Sequence, residues 1–122
     1  MKKIVIAVLA GAWSALAIGA APVVHEKFPA RPIRIVIGFT PGGTYDTYAR
    51  LVARHMGQYV PGTPNIVARN MPGGGSRVAA GYVAKIAPKD GTVLATADQS
   101  LSLQQAIGDK AITFDTQKFI YI

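Results

Sequence analysis

An apolar segment, a glycine-rich or polar loop and an amphipathic segment follow one another three times along this chain. The apolar segments are 33–39, 66–69 and 92–96, and the loops that follow them are 40–46, 70–76 and 97–100. Short apolar runs rich in β-branched residues predict strands, and apolar residues at three- and four-residue steps predict helices. Strands that alternate with helices form a mainly parallel sheet with right-handed crossovers. We therefore expect an α/β fold.

The first strand, 33–39, is apolar almost without interruption, which is typical of a parallel strand buried on both faces. In such a sheet, ligands bind beyond the carboxyl ends of the strands. All three loops lie at that end, so the sequence predicts that they converge on one site.

The first loop contains Pro41-Gly42-Gly43 and leads into a helix expected to begin near Asp46. Backbone N–H groups at a helix N-terminus are unpaired and attract anions. The two glycines allow close backbone approach and positive φ angles. The loop is therefore either a cradle for a carboxylate or phosphate or simply a tight turn. Thr44 and Tyr45 can add hydroxyl donors, although Tyr45 can also pack on a neighbouring element.

Asp46 has two candidate roles, as the N-cap of the first helix or as a residue of a ligand site. Thr44 is the alternative cap. The charge of Asp46 would repel a bound carboxylate, so we expect it to orient loop amides or to bind water and hydroxyl groups. The residues expected on the apolar face of this helix are Tyr48, Leu51, Val52, His55, Met56 and Tyr59.

The second loop contains Gly73-Gly74-Gly75-Ser76. It matches neither the dinucleotide fingerprint nor the phosphate loop of nucleotide-binding enzymes, which requires a lysine followed by serine or threonine. We therefore expect a second wall of the same cleft. The helix after it is expected to bury Ala79, Tyr82, Val83 and Ile86.

No residue pattern indicates catalysis or a cofactor. The chain has no cysteine, which excludes disulfides and thiolate chemistry. It contains no nucleophile elbow and no cluster of histidine, aspartate and glutamate at metal-binding spacing. His25 lies near the mature N-terminus, and His55 is expected to be a packed or interfacial histidine.

Residues 1–21 are expected to be a secretory signal peptide, with Lys2 and Lys3 before an apolar stretch and a cleavage site near 19–21. The alternative is an uncleaved membrane anchor. Export of a cysteine-free chain indicates the periplasm. The net charge of +7 is spread along the sequence, and nucleic-acid binding would require a clustered basic face.

The chain ends in the apolar run 118–122. We expect this run to be part of a strand, and residues 22–122 to be the truncated N-terminal part of a larger fold.

The ordered motifs of residues 28–122 resemble one known family. They are Phe28-Pro29, Pro32-Ile33-Arg34-Ile35-Val36, Pro41-Gly42-Gly43, Asp46, Ala49-Arg50-Leu51, Asn70-Met71-Pro72-Gly73-Gly74-Gly75, Ala84-Lys85, Ala87-Pro88-Lys89-Asp90-Gly91-Thr92 and Phe114-Asp115. Their combination is similar to the opening of the tripartite tricarboxylate transporter receptors, the Bug-type (TctC-like) periplasmic solute-binding proteins.

The resemblance implies the first lobe of a two-lobed protein of the periplasmic binding protein type II class, which closes over a carboxylate-bearing solute and delivers it to a membrane permease. The site residues carried over by position are Gly42, Gly43, Thr44, Asp46, Gly73, Gly74, Gly75 and Ser76, with Asp98, Gln99 and Ser100 from the third loop. This chain has Thr44-Tyr45 where the family usually has a third glycine and a threonine before the aspartate, so the side chain of Tyr45 is a candidate determinant of solute choice.

The second departure is length, because family members have a second lobe. We expect this chain alone to bind its solute at millimolar strength or not at all. Two alternatives remain at this point: a fragment of an exported α/β enzyme that acts on an anionic substrate, and a non-functional remnant.

Overall fold

The computed structural model describes residues 27–122. The expected signal peptide and His25 lie outside these residues. The helices and strands, in chain order, are β1 (Ile33–Ile37), α1 (Thr44–Met56), β2 (Ile66–Asn70), α2 (Arg77–Lys85), β3 (Val93–Thr96) and α3 (Leu101–Ala106), with 3₁₀ turns at Gly57–Tyr59 and Thr116–Lys118. The predicted α/β class is confirmed. Within 27–122, no helix has the length and apolar character needed to cross a membrane.

The sheet has three strands in the order β2-β1-β3, and both pairings are parallel. Ile35 of β1 is in register with Ala68 of β2 and with Leu94 of β3. Because the chain leaves β1 on one side to form β2 and returns to form β3 on the other, right-handed crossovers place α1 and α2 on opposite faces. The carboxyl end of β1 is therefore a topological switch point, where α/β folds bind ligands. The arrangement is consistent with part of a periplasmic binding protein lobe.

The central strand carries the core, as predicted. Ile33, Ile35, Val36 and Ile37 are all buried. Ile35 and Ile37 form the hydrophobic core together with Ala49 of α1. The strand is shorter than expected, since it ends at Ile37 and not at Phe39.

Helix α1 buries a different face from the one predicted. Its buried residues are Asp46 and Ala49. Tyr48, Leu51, Val52, His55 and Tyr59 of the predicted apolar face are exposed, and Met56 is half-buried. The small side chain of Ala49, 1% exposed, lets the helix lie close to the strands, which a face of large residues would prevent.

Two further predictions are wrong. Ile86, expected on the buried face of the second helix, is 73% exposed because it follows the last residue of α2. The apolar run 118–122 is not a strand. Its start belongs to the 3₁₀ turn Thr116–Lys118, and Ile120, Tyr121 and Ile122 are exposed.

Candidate functional site

The three loops meet at the carboxyl edge of the sheet. Gly38 follows β1 and donates its N–H to the carbonyl of Thr96, at the end of β3, across 2.9 Å. A Cβ atom on Gly38 would lie 2.3 Å from the Cβ of Ser76 in the second loop. Ser76 Oγ in turn accepts the N–H of Asp98 in the third loop at 2.6 Å. Buried Ser76 therefore joins the second loop to the third and to the end of β1, where the first loop begins.

Asp46 organises the first loop from the buried face of α1. Its side chain is almost fully buried, and one oxygen accepts the backbone N–H of Gly42 at 2.9 Å. Arg50, one helical turn further on, donates from Nε to both carboxylate oxygens at 3.0 Å. The ion pair neutralises the charge of Asp46, so the repulsion of an incoming anion that the sequence suggested is reduced.

Asn70 extends this network to the second strand. Its side-chain amide donates to Asp46 Oδ1 at 2.8 Å and to the carbonyl of Phe39 at 3.0 Å. Its oxygen accepts Arg50 Nη2 at 2.7 Å. Asn70 is the last residue of β2, so this one side chain ties the second strand both to the first loop and to α1.

The network lowers the pKa of Asp46 well below its usual range. The largest cause is the hydrogen bond from Arg50, followed by the N–H of Gly42 and the amide of Asn70, while burial acts in the opposite direction. The hydrogen bond to Asp46 likewise raises the pKa of Arg50. Both groups are therefore charged at neutral pH, as a fixed ion pair.

The N-terminus of α1 is uncapped, which corrects two predictions. The helix begins at Thr44, and its N-cap is Gly43, which has no side chain to accept the N–H groups of the first turn. Neither Thr44 nor Asp46 is the N-cap. The N–H groups of the first turn lack intrahelical partners by geometry, and they remain directed at the loop edge as donors.

The two glycines of the first loop differ. Gly42 has φ +86°, in the left-handed region that favours glycine, whereas Gly43 is extended at φ −81°. Both glycines allow a positive φ, and Gly42 alone adopts one. The N–H of Gly42 is also not free, because Asp46 accepts it. A Cβ on Gly42 would meet no atom within 4 Å, so the space beside the loop is open.

The second loop is held in place at its end by Arg77, the first residue of α2. Its guanidinium donates to the carbonyl of Gly74 at 3.2 Å, to Gln104 Oε1 at 2.6 Å and to Asp109 Oδ2 at 2.5 Å. Ser76 itself has φ +63°, and a non-glycine residue in that region is typical of constrained functional loops. Arg77 thus connects the glycine loop to α3 and the residues after it.

The third loop forms its own turn. Asp98 Oδ1 accepts both the N–H and the hydroxyl of Ser100, at 2.7 and 2.6 Å. These two bonds are the main cause of a lowered pKa at Asp98. Gln99 is exposed.

An aromatic pair lies across the base of the first loop. The rings of Phe39 and Tyr45 stack with centroids 4.2 Å apart and 12° between their planes. Both residues are half-buried. The packing role that the sequence offered for Tyr45 is therefore present.

This edge is an open surface that presents amide donors. Two cavities, of about 330 and 390 Å³, lie elsewhere, one beside α3 and Tyr121 and the other beside Phe28 and Pro61. Among the residues that the structure describes, no group of three or more histidine, aspartate or glutamate side chains is placed to hold a metal ion. The arrangement can accept hydrogen-bonding anions at the helix N-terminus.

Three residues of the site were not among the predicted ones. Arg50 is spaced four residues after Asp46, which is a recognisable signal for an ion pair on one helix face. Asn70 was noted only as part of a motif, although its place at the end of a strand indicates the loop edge. The sequence does not indicate the contact of Phe39 with Tyr45, because the two residues become adjacent only when the loop folds.

Two proteins with similar sequences extend this picture. Protein BugT of Bordetella pertussis is 36% identical over 98 residues, which is 76% of this chain and 29% of that protein. The chain is a Bug-type sequence. The UPF0065 protein in the gbd 5' region of Cupriavidus necator is 39% identical to this Bug-type chain over 89 residues, 71% of the chain and 26% of that protein.

The matched part of this Bug-type chain spans little more than a quarter of the length of these curated relatives. No protein-family model matches the sequence.

Proposed function

We propose that this chain forms the carboxylate-facing wall of a periplasmic solute-binding receptor. The observation that carries the proposal is the uncapped first turn of α1 beside an Asp46 whose charge is neutralised by Arg50. A helix N-terminus with free amides and no net negative charge nearby attracts a carboxylate.

The ligand-facing residues of this proposal come from all three loops. The first contributes the amides and hydroxyls around Gly43, Thr44 and Tyr45, with Gly42 and Asp46 holding its shape. The glycine loop Gly73–Ser76 and the turn Asp98–Ser100 form the neighbouring walls, since Ser76 joins them directly.

The similarity to Protein BugT and the UPF0065 protein supports a binding role rather than catalysis. It also supports a periplasmic location. We extend the proposal to delivery of the solute to the membrane permease of a tripartite tricarboxylate-type transporter, which is the partner that the family resemblance of residues 28–122 implies. The signal peptide expected at residues 1–21 agrees with export.

A single carboxylate-facing wall is expected to bind its solute only weakly. Each charge-assisted hydrogen bond is worth roughly 1.5–3 kcal/mol, and association costs about 4 kcal/mol or more. Two or three such bonds contribute roughly 3–9 kcal/mol in all, so the net binding free energy at an open surface is about −5 kcal/mol at most. A millimolar complex corresponds to about −4 kcal/mol, so we expect millimolar affinity as the upper limit.

Thermal unfolding with acetate, succinate and citrate tests the proposal. A ligand present at about ten times its Kd stabilises the folded state by about 1.4 kcal/mol. We expect at least one of the three to raise the Tm at tens of millimolar, relative to potassium chloride at equal ionic strength. Equal Tm values in all four salts would contradict the proposed function.

A further inference from the structure

The Phe39–Tyr45 stack is a feature that carboxylate binding by backbone amides does not require. Amide donors bind the carboxylate group itself and do not distinguish between the groups attached to it. Two parallel aromatic rings beside those donors do favour some attached groups over others, because ring faces and edges favour other π systems in offset or edge-on arrangements.

The position of Tyr45 relates the ring to the amides. Tyr45 is the second residue of α1, so its own N–H is one of the unpaired donors of the first turn. Because helical side chains tilt toward the N-terminus of the helix, the Tyr45 ring is expected to lie beside the group attached to a carboxylate bound at these donors. Phe39 supports that ring from the strand side at a centroid distance of 4.2 Å.

The stack is also accessible. Both rings are half-buried rather than enclosed, and the Tyr45 hydroxyl makes no hydrogen bond to any residue within 27–122. The rings are fixed in orientation by each other, and the carbonyl of Phe39 is fixed by Asn70. A preorganised ring face costs little ordering entropy when a ligand stacks on it.

We propose that the Phe39–Tyr45 stack selects solutes in which the carboxylate is attached directly to an aromatic ring. This inference rests on the proposed function, because it requires the carboxylate to bind at the first turn of α1. An aromatic pair stabilises a complex beyond the effect of the buried area alone. This corresponds to a Kd that is roughly two- to twelvefold lower for the aromatic acid.

Benzoate and cyclohexanecarboxylate test the proposal, since they share one charge and a six-carbon ring. The saturated ring is the more apolar, so simple hydrophobic contact favours cyclohexanecarboxylate, whereas stacking favours benzoate. We expect amide shifts in NMR titrations of the chain to give a Kd for benzoate several-fold lower. Tyr45→Phe keeps this preference, and Tyr45→Leu abolishes it.

The outcomes separate the two proposals. Equal affinities for both acids, or a preference for cyclohexanecarboxylate, in the wild-type chain overturn the inference and leave the proposed function standing. A loss of affinity for both acids alike in Tyr45→Leu also overturns it, because the stack then acts only by holding the loop. If neither acid shifts the amides of residues 43–46, the proposed function fails and the inference fails with it. The wild-type comparison decides the matter even if Tyr45→Leu does not fold.

Discussion

The side-chain amide of Asn70 donates to the carboxylate of Asp46 across 2.8 Å. This bond joins the end of β2 to the first turn of α1, two elements that are far apart in sequence. Because Asp46 also accepts the N–H of Gly42, the shape of the first loop depends on a residue of the second strand. The loop is therefore organised both by its own Asp46 and by a residue that the fold brings from the second strand.

Removing the guanidinium of Arg50 leaves the nearly buried Asp46 carboxylate without its counter-charge. We expect Arg50→Gln to lower the Tm and to broaden the amide signals of the first loop. Arg54→Gln is the matched control, because Arg54 is exposed one turn further along α1 and contributes only to the helix dipole. Equal losses in the two variants would show that the ion pair contributes nothing specific.

The low pKa of Asp46 predicts how its contribution depends on pH. A carboxylate with a depressed folded-state pKa stabilises the protein above its unfolded pKa, about 3.9, and loses this effect as pH falls toward the folded value. The Tm of Asp46→Asn should lie below that of the wild type at neutral pH, and the gap should narrow below about pH 4. A gap that stays constant down to about pH 2 would contradict the assigned network.

The space around Gly38 and around Gly43 predicts different effects on stability when each glycine is replaced by alanine. Gly38→Ala places a Cβ 2.3 Å from that of Ser76, and such overpacking costs about 1–3 kcal/mol. At Gly43 a Cβ meets only the carbonyl of Thr40, at 3.8 Å, and the backbone is extended. The stabilisation of about 0.4–1 kcal/mol from a stiffer unfolded chain is offset because alanine is a poorer N-cap than glycine, so Gly43→Ala should be close to neutral. Urea unfolding measures both. A Gly38→Ala variant as stable as the wild type would mean that the end of β1 is not packed against Ser76.

The two faces of α1 give a further test. Val52→Ser, on the exposed face, should change the free energy of unfolding by no more than about 0.5 kcal/mol. Ala49→Leu, against Ile35 and Ile37, should cost about 1–3 kcal/mol, or roughly 4–8 °C in Tm per kcal/mol. If Val52→Ser cost more stability than Ala49→Leu, the buried face of α1 would be the one that the sequence predicts.

Local sequence patterns predict the strands of the sheet but predict the wrong buried face for α1, and there is one physical reason for the difference. The β1 strand is apolar in every position but Arg34, so its central place follows from composition alone. The buried face of α1 combines Ala49 with Asp46, and a carboxylate is acceptable there only because Asn70 arrives from another strand to pair with it. Periodicity selects the most apolar face, and it cannot include a distant partner.

The arrangement of the candidate site is predictable from the sequence to a similar extent. The convergence of the three loops follows from parallel topology, and the role of Asp46 in orienting an amide follows from charge repulsion. The contact of Ser76 with Asp98 and the stack of Phe39 on Tyr45 depend on how the loops fold, which no local spacing encodes.

An NMR titration of the chain with acetate shows whether an anion binds at the first turn of α1, because it reports which amides the anion perturbs. We expect saturable shifts at the amides of residues 43–46, with smaller shifts at Gly73–Ser76 and a Kd in the millimolar range. Shifts confined to Lys27 and Arg31, or none at the loop edge at saturating acetate, would contradict this expectation.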